Sequence, residues 1–408
     1  MLCLLVPAAW GAYHHQGEQY AAQFLVAYPD KEGSKLDHCA LCHSGGSYEK
    51  NGRRVSLGSC QWCHYSFGYD KTGNIVDTLN PYGVAYFAAG RDAEAITAID
   101  AADSDGDGYT NAAEIAANRF PGNADDDPTK TTAPARIYTR AQLEALGAHT
   151  QFMLMNTSRS GDFYAEYTGV PLKDLLDDAG VQEGATGITV YAPDGWSQYH
   201  PLEETEDEID EDGDKTIFYH VYGNTLGEEY QYPPASYYYD NQADVAKNPD
   251  TGWCDYSAIS AEGRNPGSAI AVSGGLKAIL AYKREGVDLE TGVLNDDNKL
   301  DGEGPYRLVV PQKAPGAPDQ SSKSDDQDVL WPHNDDWDHN AGSCSRSATI
   351  IRVEPLPEGT TDIDILEAGW NYVNEDMIVV YGAIDKPNTD DGGTVIDADD
   401  DSSSGAGG

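Results

Sequence analysis

Two pentapeptides carry the most readable chemistry in this chain, Cys39-Ala-Leu-Cys42-His43 and Cys60-Gln-Trp-Cys63-His64. In each, two thiols two residues apart can reach the two vinyl groups along one edge of a porphyrin, and the next imidazole falls under the iron. The pattern predicts covalent c-type haem attachment at both motifs, with His43 and His64 as proximal ligands. One such pentapeptide alone also suits a thioredoxin-like redox pair or half of a zinc site. Two copies weigh against both alternatives. A four-thiolate zinc site needs no His after each pair, and a disulfide exchanger needs no second motif in one short segment. Only about twenty residues separate the motifs, so two haems held there would act as a pair.

The sixth iron ligand separates a carrier from an enzyme, because an open face binds small molecules while a filled one mostly transfers electrons. His14, His15 and His38 are the local candidates. The internal methionines, Met153, Met155 and Met377, fall in strand-like runs, so bis-His ligation is expected, with low potentials relative to His/Met. His38 directly precedes Cys39, points away from its own ring and suits a neighbouring haem. Two of the three His are expected to be ligands, and the third could serve a haem of an adjacent subunit. Trp62, Tyr65, Phe67 and Tyr69 are expected to pack on the porphyrins.

Asp103-Ser-Asp-Gly-Asp-Gly-Tyr-Thr-Asn-Ala-Ala-Glu114 matches an EF-hand-type calcium loop at every position. Asp103, Asp105, Asp107, Asn111 and Glu114 supply side-chain oxygens at positions one, three, five, nine and twelve, Gly108 is sixth, and the Tyr109 carbonyl is seventh. Helical composition from Asp92 to Ala102 and from Thr110 to Phe120 frames it as helix, loop, helix. The loop stands alone, which favours a structural ion over a regulatory switch. Glu203 to Asp214 is also acidic, but it has no matching downstream Glu and reads as a solvated loop.

These motifs need a scaffold, and 408 residues allow two or three domains. Residues 1–12 read as the apolar part of a secretory signal without its charged start. Residues 13–134 read as a small, mainly helical dihaem domain carrying the calcium loop. After Pro134 short apolar runs predict a larger β-rich α+β domain over 135–356: Thr186 to Ala192, Thr216 to Tyr222, Ala269 to Ser273, Tyr306 to Val310 and Ala348 to Val353. One helix is predicted at Pro171 to Ala179, with Leu172, Leu175 and Leu176 on one face and Gly180 as its stop. Residues 357–389 read as a C-terminal extension with a strand at Met377 to Tyr381, and 390–408 as a disordered tail. Cys254 and Cys344 are expected to form a disulfide, which an oxidising compartment permits.

The 69 acidic and 26 basic residues give a formal charge of −43, which repels nucleic-acid phosphates and anionic lipid. No run approaches transmembrane length.

Two resemblances follow from longer stretches. Thr168-Gly-Val-Pro-Leu-Lys-Asp-Leu-Leu-Asp-Asp-Ala-Gly180, Ile188-Thr-Val-Tyr-Ala-Pro-Asp-Gly195 and Gly304-Pro-Tyr-Arg-Leu-Val-Val-Pro311 resemble the molybdopterin-binding domain of sulfite-oxidase-like enzymes over roughly residues 135 to 355. That family holds molybdenum through a Cys just before the Gly-Val-Pro-Leu segment. Here Asn156 to Tyr167 contains no Cys, so the resemblance implies the fold as a scaffold without the cofactor. The whole chain also resembles the GEGP motif-containing dihaem proteins, through Gly302-Glu-Gly-Pro305 together with the two haem motifs. Gly302 and Gly304 read as a turn before the Tyr306 strand, with Glu303 a turn residue or an ion ligand.

The expectation is an exported, periplasmic or extracellular dihaem cytochrome that passes electrons to other cytochromes or to copies of itself, possible as a haem-stacked filament. Two other classes stay open: a haem or molybdenum oxidoreductase with an open metal site, and a calcium-dependent binding module with structural haems. His149, His200, His220, His333 and His339 are scattered and read as structural.

Overall fold

In the first part of the chain, polar side chains start a set of short helices. The computed structural model describes residues 20–32, 34–50, 53–67, 73–155, 162–193, 196–203, 221–222, 230–231, 254–255, 269–270, 272–294, 300–311, 340–363 and 376–388. α1 (Ala21–Ala27) precedes a 3-10 turn at Cys39–Leu41, strands β1 (Gly46–Lys50) and β2 (Arg53–Leu57), and α2 (Ser59–Ser66). A second 3-10 turn, Ile75–Thr78, leads to α3 (Pro81–Ala89), α4 (Ala93–Ala98) and α5 (Asn111–Ala116). Asn80, Asp92 and Thr110 cap the last three, each accepting a backbone N–H three residues on. Phe24, Leu36, Tyr82, Tyr86, Ile96 and Ile115 are buried in one small core.

The helical reading of this segment needs one correction. An antiparallel hairpin, β1 with β2, lies between the two cysteine motifs, with Lys50 opposite Arg53. That register leaves Asn51-Gly52 between the strands, a dipeptide suited to two-residue hairpin turns.

The second part begins with β3 (Thr131–Thr132), β4 (Ala135–Thr139), α6 (Arg140–Ala145), β5 (His149–Met155), β6 (Asp162–Pro171) and α7 (Leu172–Ala179). There follow β7 (Gly187–Tyr191), β8 (Ser197–Pro201), β9 (Tyr230–Gln231), β10 (Cys254–Asp255), β11 (Ala269–Ile270) and β12 (Ile279–Arg284). The last strands are β13 (Val287–Asp288), β14 (Val293–Leu294), β15 (Leu300–Asp301), β16 (Arg307–Val309), β17 (Ile350–Glu354), β18 (Thr360–Thr361) and β19 (Met377–Gly382).

Two sheets dominate. One runs β10-β6-β12-β13, with β5 also on β6 and β16 also on β12; the other runs β4-β19-β17-β7-β8. Val170, Leu280 and Leu308 of the first share one core with Ile188, Ile351 and Val380 of the second. Helix α7 adds Leu172, Leu175, Leu176 and Ala179, all fully buried, and ends at Gly180 with φ +71°. The left-handed stop is one that glycine adopts without strain. The architecture is therefore mixed α/β with several sheets.

The strand anticipated as a C-terminal extension has a deeper role. β19 lies between β4 and β17, antiparallel to one and parallel to the other, because Ile378 to Tyr381 is apolar on both faces and buried. The expected Cys254–Cys344 disulfide is also corrected. Cys344 is a free thiol, buried in the sheet core, where its Sγ accepts the Val310 N–H at 3.3 Å. Residues 1–19, the Thr216 to His220 stretch, the Glu203 to Asp214 stretch beyond Glu203, and the 390–408 tail lie outside the described residues. Among the described residues no helix is long and apolar enough to cross a membrane.

The Gly302-Glu-Gly-Pro305 turn is built around an ion pair. Gly302 has φ +89°, and a Cβ on Gly304 would come within 2.7 Å of the Leu289 carbonyl oxygen. Between them Glu303 reaches Arg307 at 2.8 Å and Arg284 at 3.0 Å. Arg307 is only 5% exposed. Burial alone would raise the Glu303 carboxyl, but the Arg307 and Arg284 guanidiniums outweigh it and hold the group below its ordinary range.

Glu303→Ala strands the buried Arg307 charge and is expected to cost about 3–5 kcal/mol in chemical denaturation, with Glu303→Gln losing less. A carboxyl depressed in the folded state contributes fully above the ordinary Glu value of about 4.3. Wild-type stability should therefore fall as the pH drops below that value, and Glu303→Gln should flatten the fall.

Candidate haem-attachment and cation sites

The first cysteine motif is held by backbone carbonyls that would otherwise be orphaned. In the Cys39–Leu41 turn, Leu41 N–H donates to His38 O, and Cys42 and His43 N–H both donate to Cys39 O. His38 caps the turn, its Nδ1 accepting the Ala40 N–H at 2.7 Å. Asn80 then clamps the whole motif. Its side-chain amide donates to Ala40 O at 2.9 Å and Leu41 O at 3.0 Å, and its backbone N–H donates to Cys42 O. The same side chain caps α3 through Gly83 N–H at 2.8 Å. Gly83 is required there, since a Cβ would lie 2.0 Å from Cys42 O.

His43 is oriented by a fully buried hydroxyl. Its Nδ1 lies 2.9 Å from Thr78 Oγ1, and that hydroxyl donates to Ile75 O at 2.7 Å. When the hydroxyl directs its one proton to Ile75 it accepts from His43, and a ring protonated at Nδ1 carries its lone pair on Nε2. Metal-ligating histidines use this arrangement. His38 has the opposite one: an Nδ1 that accepts a backbone N–H leaves the proton of the neutral ring on Nε2. Burial pushes the Cys42 thiol up to about 12, which disfavours the free thiolate that disulfide exchange requires.

Helix α2 carries the second motif. Positions 60, 63 and 64, spaced three and four apart, fall on one side of it. The side chains of Cys60 and His64 lie outside the described residues, and so do His14, His15 and Tyr69. α2 packs against both the Cys39–Leu41 turn and the Ile75–Thr78 turn. The two motifs are therefore adjacent in space, sharing the turn that orients His43. Trp62 lies flat against Gly46, where a Cβ would be 2.2 Å from the indole, and stacks on Tyr65 at 5.6 Å. Met153 and Met155 are buried in the sheet core.

The acidic loop joins α4 to α5, as the helix, loop, helix reading anticipated. Carboxylate oxygens of Asp103, Asp105 and Asp107 lie within 4.8 Å of one another. Asp103 accepts the N–H groups of Gly106 at 2.7 Å and Gly108 at 2.9 Å, and Gly108 has φ +102°, the left-handed conformation that the sixth position demands. Glu114 is fully buried, with no hydrogen-bond partner for either oxygen, and Asp105 Oδ2 and Asp107 Oδ2 also have none. Burial, followed by the charges of Asp105, Asp107 and Asp103, raises Glu114 to about 8. Asn111 is placed differently from these carboxylates. Its amide donates to Ile99 O at 2.8 Å and accepts Ser104 N–H at 3.2 Å, closing the base of the loop.

Thr78 and Asn80 are the residues that sequence reasoning missed. Asn80-Pro81 signals a helix start, but nothing in the spacing ties it to a motif nearly forty residues earlier. No protein family, curated protein or solved structure matches this chain in comparisons with each.

Asn80→Ala removes a cap and two buried donations and is expected to destabilise by about 1–3 kcal/mol. Asn80→Asp keeps the cap acceptor alone and should fall between wild type and Asn80→Ala in denaturant midpoint.

Proposed function

We propose that this chain is a dihaem c-type cytochrome that passes electrons outside the cytoplasmic membrane, exchanging them with other cytochromes or with copies of itself. The observation that carries the reading is the His43–Thr78–Ile75 relay, which presents Nε2 as a lone-pair donor beside two cysteines at attachment spacing. Iron held at such a site exchanges one electron without bond rearrangement.

Each part of the chain then has a task. Cys39 and Cys42 would hold one haem and Cys60 and Cys63 the other, with His43 and His64 as the residues that would ligate the irons. Thr78 fixes the His43 ring and raises its basicity. Asn80 holds the first attachment turn on α3, and the packing of α2 on that turn places the two motifs side by side, so that haems attached there would be neighbours. His14, His15 and His38 are the distal candidates; a distal role for His38 requires its proton to move from Nε2. The sheets serve as scaffold. Because the chain is strongly acidic, a directly docking redox partner presents a basic face, or cations bridge acidic faces between copies in a filament.

Potentiometric titration of the haem-loaded protein is expected to give two one-electron waves. Thr78→Val weakens the His43 donor and should raise the potential of one wave only, while the Cys60→Ser/Cys63→Ser variant should lose the other. Redox-silent protein would contradict electron transfer. A monodisperse monomer in millimolar calcium would contradict the filament.

A further inference from the structure

The loop between α4 and α5 holds a fully buried carboxylate, Glu114, with neither oxygen hydrogen-bonded. An ionised carboxylate in that position is costly unless a counter-charge meets it. The groups that act on it most strongly are Asp105, Asp107, Asp103 and Asp126, all of the same sign. Folding has thus gathered the carboxylates of Asp103, Asp105 and Asp107 within 4.8 Å of one another, with the buried Glu114 within reach of their charge. We propose that Asp103, Asp105, Asp107 and Glu114 bind one calcium ion, and that this ion fastens the junction between the haem-motif segment and the sheets.

The oxygen count selects the metal. The three clustered aspartates offer one oxygen each and both Glu114 oxygens are without a hydrogen bond; with Glu114 drawn onto the ion, the Tyr109 carbonyl and water complete the six to eight ligands that calcium takes. Magnesium prefers a rigid octahedron that keeps several waters. Asn111, whose amide oxygen also accepts Ser104 N–H, serves the ninth position directly or through water.

The fastening role follows from what α5 touches next. Glu114 O accepts the Arg119 N–H at 2.8 Å, and Arg119 donates to Lys130 O at 2.7 Å and sits 3.7 Å from Asp126. Asp126, 3% exposed, accepts Phe120 N–H and binds Lys35 Nζ at 2.8 Å. Both Asp126 and Lys35 hydrogen-bond Thr361, on β18, which pairs with β3. An ion that fixes Glu114 therefore fixes a chain of contacts from Lys35 to Thr361. This inference is independent of whether haem is attached.

Calorimetric titration of the full chain, stripped with chelator, should show one saturable calcium site at least tenfold tighter than for magnesium. Glu114→Gln should weaken it at least tenfold. If that variant fails to fold, terbium luminescence excited through tyrosine in wild type, displaced by one equivalent of calcium, reads the same site through Tyr109. Hydrogen exchange reads the junction. Calcium should slow the Thr131 and Ala133 amides, which donate to Gly359 and Thr361. Absence of a saturable site, or a site that magnesium fills equally well, overturns the calcium assignment. Binding that protects residues 103–114 but leaves Thr131 and Ala133 unchanged overturns the fastening role.

Discussion

The turn from Ile75 to Asn80, with Thr78 and Asn80 buried, is the constraint on which the rest of the candidate site depends. Within it Thr78 orients the His43 ring and Asn80 satisfies the carbonyls of the Cys39–Cys42 turn. Neither bond is optional, because Thr78 and Asn80 are buried and polar groups taken out of water must find partners. The turn also receives α2, so one short element sets the ring orientation at the first motif and the distance to the second. In an otherwise small apolar core, such directional bonds determine one arrangement where hydrophobic packing alone would allow several.

The sheets take a different approach to the same problem. Their core is large and mostly aliphatic, and the buried and half-buried charges at its edge meet opposite charges. Arg307 meets Glu303, and Arg352 meets Glu354 and Asp362. These internal pairs nearly cancel, so the acidic excess of the whole chain, −43, is carried by the residues outside them. Such an excess attracts counter-ions, and a divalent ion is most useful where carboxylates converge.

Much of this was legible in the sequence, for identifiable reasons. The cysteine motifs and the acidic loop are local patterns in which spacing dictates geometry, and helix α7 and the strands β7, β16, β17 and β19 follow from apolar periodicity and a glycine stop. What was not legible depends on contacts far apart in the chain. The placement of β19 between β4 and β17 unites residues 135–139 with 377–382, and no local pattern encodes that neighbour. The Cys344 thiol faces Val310, an outcome that cysteine counting could not supply. The hairpin between the motifs was within reach, since Asn51-Gly52 is a turn signal, but the surrounding helical and cysteine patterns outweighed it. Asn111 matches a ligand position by type, and its amide also bonds Ile99 O and Ser104 N–H, contacts that the loop pattern alone does not encode.

The central claim is that both cysteine motifs carry covalently attached haem. Intact-mass measurement after denaturation, on protein produced in a host with c-type haem maturation and paired with a pyridine haemochrome assay, tests it most directly. The account predicts a mass gain of two haems that survives denaturation and an absorbance equivalent to two per chain. A chain of unmodified mass, with its four motif cysteines still reactive or binding zinc, would contradict it.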